Sequence, residues 1–109
     1  MQASKITKGL EYKLIASSGK KINSNNFGLQ FIDTETNSIR FGIIASKKLG
    51  NAVQRNYAKR RIRALFNKVL LKTDINKKDY VIVGKKGILF EKFDSLYEEL
   101  NLMFKKIDR

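Results

Sequence analysis

The side chains best suited to chemistry in this sequence are cations packed into one short segment. Residues 50–66, GNAVQRNYAKRRIRALF, hold five positive charges between Arg55 and Arg63 and no acidic residue. Arginine binds phosphate oxygens through two parallel hydrogen bonds and stacks on aromatic bases, and lysine adds a point charge. Four of the six arginines of the chain lie in this segment. Its composition therefore indicates binding of a phosphate-bearing polyanion.

On a helix, this segment separates into a polar face and an apolar face, at about 100° per residue. The polar face consists of two parallel rows: Arg55, Lys59 and Arg63, and beside them Asn56 and Arg60. The apolar face consists of Ala58, Ile62, Leu65, Phe66 and Val69. Arg61 lies on the far side, closer to Tyr57. The pattern predicts a helix that is anchored in the core by one face and offers its cations to a partner with the other.

The absence of acids on this helix favours a binding surface over a solvated one. Like charges four residues apart on a helix repel each other by about 0.2–0.5 kcal/mol. A structural surface helix usually interleaves Glu or Asp with its cations, whereas nucleic-acid phosphates supply the counter-charge when they bind. A merely solvated cationic face is the alternative interpretation.

The whole chain shows the same excess of basic over acidic residues. It has 109 residues, and its 23 Lys and Arg against 10 Asp and Glu give a net charge of +13. Residues 36–73 contain no acid and ten cations, while five of the ten acids fall in residues 91–109. Such a distribution predicts a cationic patch on one side of the molecule and a polyanionic partner. Basicity that serves only solubility is the alternative.

A basic loop, Ser46–Asn51, precedes the helix and carries Lys47 and Lys48. Free N–H groups at a helix N-terminus favour an anion, and the two lysines would reinforce that preference. Asn51 followed by Gln54 is typical of a capping box, which would start the helix at the residue after Asn51.

The remaining periodicities place this helix in a small α/β fold. The elements expected in chain order are a helix at Thr7–Ser17, strands at 27–32 and 39–45, a helix at Ala52–Leu71, a strand at Asp79–Gly84 and a final helix from Phe93 to Ile107. Leu10, Leu14 and Ile15 form the expected apolar face of the first helix. The first two strands are expected to pair as a hairpin. One domain, residues 1–109, with helices packed on a small sheet as an α/β sandwich, fits this order and length.

Some classes of function conflict with what the sequence lacks. It has no His and no Cys, and its ten carboxylates are scattered, so a nuclease site built on two metals or a nucleophile is not expected. Glu98 and Glu99 are adjacent on a helix, where side chains diverge, and both are expected on the solvated surface. No apolar run reaches about 18 residues, which predicts a soluble cytoplasmic protein without a membrane partner.

The stretch Arg40–Phe66, RFGIIASKKLGNAVQRNYAKRRIRALF, resembles the signature of the bacterial ribonuclease P protein subunit. That family carries a strand, then Ser-Lys-Lys-Xaa-Gly-Asn-Ala, then a helix with Arg-Asn-Arg-Xaa-Xaa-(Arg/Lys)-Arg. The match is dense over about a quarter of the chain. Weaker similarity extends to the Glu11-Tyr12 helix, the Phe27 strand, residues 79–83 and the last helix.

The resemblance implies both a fold and a division of labour. The implied fold is an α+β two-layer sandwich, a small mixed sheet with three helices like the second domain of ribosomal protein S5, with a left-handed βαβ crossover. The implied catalyst is an RNA that needs Mg²⁺ and removes the 5′ leader of precursor tRNA. The protein would join that RNA 1:1, as a subunit with no active site of its own.

The resemblance also assigns residues. Those implied to bind the ribonuclease P RNA are Lys47, Lys48, Arg55, Asn56, Lys59, Arg60, Arg61 and Arg63. Those implied to line a cleft for the leader are Tyr12, Gln30 and Ser46. For Tyr12, the alternative is a half-buried core residue.

Two positions depart from the family pattern. Tyr57 stands where the motif has its second arginine, so one phosphate contact is lost or replaced, and Arg61 beside it is a possible substitute. Ala16 stands where many relatives have another cleft aromatic, so stacking on the leader would depend more on Tyr12.

Three other interpretations of the basic helix remain open. A general RNA-binding or ribosome-associated protein would use the same patch. A DNA-binding helix-turn-helix fits less well, because strands flank the helix where a short preceding helix is expected. A membrane-surface helix would need its apolar face free, yet Ala58, Ile62 and Phe66 are required for the core.

Overall fold

The computed structural model describes residues 3–34 and 36–107, and within them the chain forms a five-stranded mixed sheet and three α-helices. The strands are β1 Ala3–Lys5, β2 Lys20–Asn23, β3 Phe27–Asp33, β4 Ile39–Ile44 and β5 Lys78–Gly84. The helices are α1 Gly9–Ser18, α2 Ala52–Lys72 and α3 Phe93–Ile107. Short 3₁₀ turns at Lys47–Leu49 and Lys86–Leu89 connect them. The expected α/β class, with a small mixed sheet and three helices, is confirmed.

The strand order is β1-β4-β5-β3-β2, with β4 parallel to β1 and β5, and β3 antiparallel to β5 and β2. The predicted hairpin between β3 and β4 is therefore wrong, because β5 lies between them. In β5, residues Tyr80, Val81 and Ile82 are all fully buried. A strand that is apolar on both faces is stable only where both faces are covered, which is the centre of the sheet.

The edge strands β1 and β2 were not predicted. Both are short and largely exposed, with sequences ASK and KKIN that lack a clear apolar alternation. The connection from β4 through α2 to β5 joins two neighbouring parallel strands, as the resemblance implies. The left hand of that crossover stays a prediction.

Helices α2 and α3 pack against one face of the sheet through a cluster of aromatic rings. The ring centroid of Phe66 lies 4.7 Å from that of Phe41 and 5.6 Å from that of Phe104. The Tyr80 ring contacts Phe104 edge-on, with a centroid distance of 5.1 Å. The predicted apolar face of α2 is confirmed, since Ala58, Ile62, Leu65, Phe66 and Val69 are all 0% exposed. Burial of each large side chain stabilises the fold by about 1.5–3 kcal/mol, so this face holds α2 firmly.

Helix α1 covers the opposite face of the sheet with a narrow strip. Ile15 is 1% exposed and packs with Ile6 and Val81. The predicted apolar face is wrong in part, because Leu10 and Leu14 are 79% and 55% exposed. A helix of ten residues that rests on β3 and β5 along one line buries only the positions directly above those strands.

The start of α2 is fixed by the predicted capping box. Asn51 Oδ1 accepts a hydrogen bond from the Gln54 N–H, and Gln54 Oε1 accepts one from the Asn51 N–H, both at 2.9 Å. Gly50 precedes it with a φ of 138°, in the region that favours glycine. A Cβ at Gly50 would lie 2.0 Å from Gln54 Oε1, so a larger residue would also displace the cap.

Glu99 is not on the solvated surface, in contrast to the expectation. It is half-buried and accepts hydrogen bonds from the Asn26 N–H at 2.8 Å and from Asn26 Nδ2 at 2.7 Å, as well as from the Ser24 hydroxyl. Glu98, its neighbour, is exposed as expected. Through Glu99, α3 holds the turn between β2 and β3 in place. Within the described part of the chain, no helix has the length and hydropathy needed to cross a membrane.

Candidate nucleic-acid interface

The exposed face of α2 brings together most of the predicted RNA-binding side chains. Asn56, Lys59 and Arg60 are exposed, and Arg55 and Arg63 are half-buried beside them. A shallow groove of about 410 Å³ runs along this face and is lined by Val53, Asn56, Lys59, Arg60 and Arg63. The two rows expected from helical geometry thus form one continuous surface.

The cations of this surface have no acidic partner among the described residues. The ion pairs found there join Arg40 to Glu11 and Asp79, Lys68 to Asp94, and Lys78 to Asp33. None of them involves Lys47, Lys48 or the basic side chains of residues 55–63. The charge of the patch is therefore left for an external anion to neutralise.

Two of the guanidinium groups also leave hydrogen bonds unmade. The Nε atoms of Arg55 and Arg63 are buried, and neither has a partner in the described part of the chain. An unpaired buried donor destabilises the protein by about 1–3 kcal/mol, and a phosphate oxygen would supply the missing acceptor only after the side chain turns outward, because the Nε atom is buried in this conformation. Both groups lie where the surface row meets the core, so partial desolvation would strengthen such a contact.

Arg61 is in a different situation from the other arginines. Its Nη1 donates to the carbonyl oxygens of Ile88 at 2.6 Å and Glu91 at 2.9 Å. Its Cζ lies 5.6 Å from the ring centroid of Tyr57, beside which the sequence placed it. The guanidinium group thus ties α2 to the segment that leads into α3.

Lys47 and Lys48 extend the patch beyond the helix. Both are exposed on the 3₁₀ turn, which is anchored by Leu49 at 2% exposure. The predicted capping box uses the N–H groups of Asn51 and Gln54, which leaves fewer N–H groups at this helix terminus for an anion. The lysine charges are the stronger attraction for an anion at this end of α2.

Tyr12 lies half-buried on α1 with its ring directly over Gly42 of β4. Its hydroxyl donates a hydrogen bond to the Ile6 carbonyl oxygen at 3.3 Å. A Cβ at Gly42 would lie 2.3 Å from the Tyr12 hydroxyl oxygen, so the ring uses the space that glycine leaves. A pocket of about 180 Å³ joins Tyr12 to α2, lined by Lys5, Ile6, Tyr12, Phe41, Gly42, Ile43, Lys59 and Arg63.

Gln30 lies on the same face of the sheet but in another pocket. One row of paired positions crosses four strands, in the order Lys21, Gln30, Val81 and Gly42. Val81 in that row is buried against Ile15 of α1. Gln30 therefore lies on the far side of α1 from the Tyr12 pocket, in a depression of about 280 Å³ that Lys21 and Lys85 also line. Its Oε1 is buried without a partner among the described residues.

Ser46 is exposed where β4 ends and the basic turn begins. Its carbonyl oxygen accepts the Leu49 N–H at 3.0 Å, and it lines neither the Tyr12 pocket nor the Gln30 pocket. The structure thus gathers the predicted α2 residues into one surface and spreads the three predicted cleft residues over three places.

Sequence reasoning missed a charged cluster that supports this region. Arg40 binds both carboxylate oxygens of Asp79, and its Nη1 lies 2.7 Å from Glu11 Oε2. The hydrogen bonds to Asp79, and then those to Glu11, raise the pKa of Arg40 above its ordinary value. The cluster joins α1, β4 and β5. Only the strand register brings Arg40 opposite Asp79, and no local pattern in the sequence indicates that register.

Within residues 3–34 and 36–107, no group of three or more His, Cys, Asp or Glu side chains is arranged to hold a metal ion. The carboxylates of Glu11, Asp79 and Glu99 are engaged in the contacts described above. What this surface can do chemically is to bind and screen phosphates.

A family model described as Ribonuclease P matches residues 1–108 of the chain. The chain belongs to the ribonuclease P protein family. It is 37% identical over 93 residues to the ribonuclease P protein component of Streptococcus agalactiae serotype Ia, covering 85% of this chain and 82% of that protein. It is 32% identical over 102 residues to the same component of Mycoplasma capricolum, covering 94% of each.

Solved structures of ribonuclease P proteins have the same fold. The Staphylococcus aureus protein aligns with a TM-score of 0.80 at 29% identity, over 99% of this chain and 97% of that one. The Thermotoga maritima protein aligns with a TM-score of 0.78 at 25% identity, over 88% and 90%. The resemblance seen in the sequence is confirmed, and the chain is a protein component of ribonuclease P, a ribonuclease complex of tRNA processing with an RNA partner.

Proposed function

We propose that this protein binds the catalytic RNA of ribonuclease P through the exposed face of α2 and the turn that carries Lys47 and Lys48. The observation that carries the proposal is the row of cations without acidic partners, which contrasts with the paired cations Arg40 and Lys78 on the same chain. Phosphates of a folded RNA supply the counter-charge that the protein leaves out.

The 5′ leader of precursor tRNA is proposed to contact the sheet face that carries α1. Tyr12 offers part of its ring beside Lys59 and Arg63, a combination suited to a base and its phosphate. Gln30, with an unsatisfied Oε1 next to Lys21 and Lys85, offers a second contact on the other side of α1. Ser46 would contact the leader only if the leader also passes the basic turn. A leader that reaches both pockets would cross α1 on the way.

Cleavage is proposed to be carried out by the RNA and its Mg²⁺ ions, with one protein bound per RNA. The carboxylates of Glu11 and Asp79 are already bound to Arg40 and offer poor ligands for a metal. The protein's own residues bind and orient the two RNAs and screen the repulsion between their phosphates. Less Mg²⁺ would then be required for activity.

The test is multiple-turnover cleavage of precursor tRNA by a bacterial ribonuclease P RNA at low Mg²⁺, with and without the protein. Strong stimulation is expected, and cleavage by the protein alone is not. If the protein neutralises about five phosphates, log K for RNA binding should fall with log salt at a slope of about −3.5 to −4.5. A slope near zero would contradict the assignment of the patch.

A matched pair of variants separates the patch from general basicity. Arg60→Ala and Lys105→Ala each remove one exposed cation. Lys105 is on α3, one turn after Asn101, which bonds Thr73 at the far end of α2. Thr73 itself is about 20 Å from Arg60, at 1.5 Å per residue. Only Arg60→Ala is expected to weaken RNA binding and stimulation. Equal effects of the two variants would indicate attraction by net charge alone.

Leader recognition is tested with a second substrate. A precursor tRNA whose leader is cut to one or two nucleotides should lose most of the stimulation, while the affinity for the catalytic RNA stays unchanged. Tight RNA binding without stimulation of either substrate would instead indicate a general RNA-binding protein.

A further inference from the structure

An apolar surface interrupts the cationic face of α2. Tyr57 is 41% exposed, and Val53, one helical turn before it, is 76% exposed. We call these two residues the aromatic shelf. Val53 lines the groove that also contains Asn56, Lys59 and Arg60. Tyr57 is not part of that lining but lies beside it, with the guanidinium carbon of Arg60 6.0 Å from its ring centroid. Tyr57 occupies a position where a further cation would continue the pattern of the helix.

The guanidinium group of Arg61 contacts the Tyr57 ring of the shelf. Its guanidinium carbon lies 5.6 Å from the Tyr57 ring centroid, and its Nη1 is fixed by the carbonyl oxygens of Ile88 and Glu91. Such a cation–π contact contributes about 0.5–1 kcal/mol at an exposed site and restricts the ring. Arg61 is thus a positioning residue for Tyr57, and its Nη1 group already has internal acceptors.

Arg60 approaches the same ring from a freer position. Its Cζ lies 6.0 Å from the Tyr57 centroid, and it makes no hydrogen bond or ion pair with the described residues. Its side chain is exposed and able to move to a phosphate, which would uncover more of the ring. The Tyr57 hydroxyl likewise makes no hydrogen bond in the described part of the chain. A cation without a hydrogen-bond or ion-pair partner among the described residues therefore lies beside an aromatic ring that Arg61 also contacts.

We infer that the aromatic shelf stacks an unpaired base of the bound RNA while Arg60 and Lys59 hold the phosphates beside it. This rests on the proposed RNA-binding function of α2 and adds the chemical form of the target, a single-stranded or bulged nucleotide. Stacking on an aromatic ring accepts any base, since every base has a π-face. A purely cationic face would read only the backbone.

The charge around the shelf favours RNA over a protein or a second copy of this chain. The groove that the shelf borders is lined by Lys59, Arg60 and Arg63 and contains no acid. A second copy would bring the same cations into contact with these, which is unfavourable. A nucleotide satisfies both components, with its base on the shelf and its phosphate on the cations.

The test compares three variants at one position with a control on the same helix. Tyr57→Ala removes the ring, Tyr57→Phe keeps it, and Tyr57→Arg replaces it with a charge. Leu71→Ala is the control, because Leu71 is 80% exposed at the other end of α2. The probes are a single-stranded RNA and a duplex RNA of about 12 nucleotides or base pairs, within the range that such sites cover. Binding is measured over a series of salt concentrations.

Tyr57→Ala is expected to weaken single-stranded RNA binding about 5- to 150-fold, from the usual contribution of one stacked base. The duplex affinity and the salt slope should stay near those of the wild type. Tyr57→Phe and Leu71→Ala should bind as the wild type does. Tyr57→Arg should steepen the slope by about 0.7 for a single strand and improve the duplex affinity.

Two results would overturn the inference. One is wild-type affinity of Tyr57→Ala for the single strand, and the other is an equal loss in Tyr57→Phe, which would assign the contact to the hydroxyl. Both would leave the proposed RNA-binding function intact, provided that Arg60→Ala still weakens binding to the ribonuclease P RNA. If the wild-type protein binds neither probe nor that RNA, the proposed function fails first and the inference fails with it.

Discussion

Arg40 and Asp79 face each other on β4 and β5, and the guanidinium group binds both carboxylate oxygens, with Nε–Oδ1 and Nη2–Oδ2 distances of 2.9 and 2.6 Å. Asp79 is 6% exposed, and Arg40 is partly buried. A carboxylate this deep in a protein is stable only with such a partner. Arg40, the first residue of the segment that identified the family, is thus a structural cation rather than part of the binding patch.

Substitution of Arg40 by Gln should lower the free energy of unfolding by about 3 kcal/mol, because the buried Asp79 carboxylate loses its counter-charge. Urea denaturation measures the change. Lys48→Gln is the control, since it removes an exposed cation without an acidic partner among the described residues. Equal unfolding free energies for Arg40→Gln and the wild type would show that the cluster contributes nothing to stability.

Substitution of Gly42 by Ala should displace the Tyr12 ring, because the new Cβ would lie 2.3–2.5 Å from three atoms of that ring. We expect a loss of stability of about 1–3 kcal/mol, typical of overpacking, and weaker binding of precursor tRNA that carries a full leader. Gly9→Ala is the matched control, since nothing lies within 4 Å of its added Cβ. If precursor tRNA binds equally well to both variants under conditions where they are folded, Tyr12 is a core residue only.

Arg60 and Arg61 are adjacent in sequence, but changing each to Ala should affect a different property first. Arg60→Ala should cost about 1–2 kcal/mol of RNA binding and reduce the magnitude of the salt slope by about 0.7–0.9, with little effect on unfolding. Arg61→Ala should lower unfolding stability by about 1–3 kcal/mol, because the Ile88 and Glu91 carbonyls lose their shared donor. Urea denaturation and salt titrations of RNA binding distinguish the two. A reduced salt slope in Arg61→Ala would mean that this side chain also contacts phosphate.

Glu98 and Glu99 are neighbours on α3, but only Glu99 bonds the turn between β2 and β3, so variants at the two positions test the contribution of those bonds to stability. Glu99→Ala should lower the free energy of unfolding by about 2 kcal/mol, since Asn26 and Ser24 lose a charged acceptor. Glu98→Ala, at an exposed position, should change it by less than about 0.5 kcal/mol. Thermal unfolding of both variants would reveal the difference, and similar melting temperatures would contradict the role assigned to Glu99.

Asp33 provides a pH-dependent contribution to stability. Lys78 donates a hydrogen bond to its carboxylate and, with its charge and that of Lys20, lowers the pKa of Asp33. A carboxyl with a lowered folded pKa stabilises the protein above its unfolded pKa of about 3.9 and loses that contribution as the pH falls through the folded value. The difference in unfolding free energy between the wild type and Asp33→Asn should therefore be largest near neutral pH and disappear in acid. It should be small and sensitive to salt, because Asp33 is exposed.

The parts of the fold that local patterns determine were predicted well. Helix α2 ends within one residue of its predicted bounds, because the Asn51 cap and the apolar spacing are both local signals. The strand β5 was predicted, but its place at the centre of the sheet was not, since pairing with β3 and β4 depends on contacts distant in sequence. Leu10 and Leu14 have helical spacing, yet their burial depends on how much sheet lies beneath α1.

The site shows the same division between local and distant information. Helical geometry alone assembles Arg55, Lys59 and Arg63 on one face, as predicted. The different role of Arg61 depends on Ile88 and Glu91, whose position beside α2 follows only from the folded chain. The roles assigned to these residues in RNA binding stay predictions until the variants are measured.

The central position of β5 also constrains how the protein is made. A chain still growing on the ribosome completes α2 before β5 exists, and β3 and β4 then have no strand to join them. Ile62 of α2 packs over Gly84, the last residue of β5. Pairings this distant in sequence form slowly and late. We therefore expect the cationic helix to become anchored only after most of the chain has been synthesised, so that a truncated or nascent product does not compete with the finished protein for RNA.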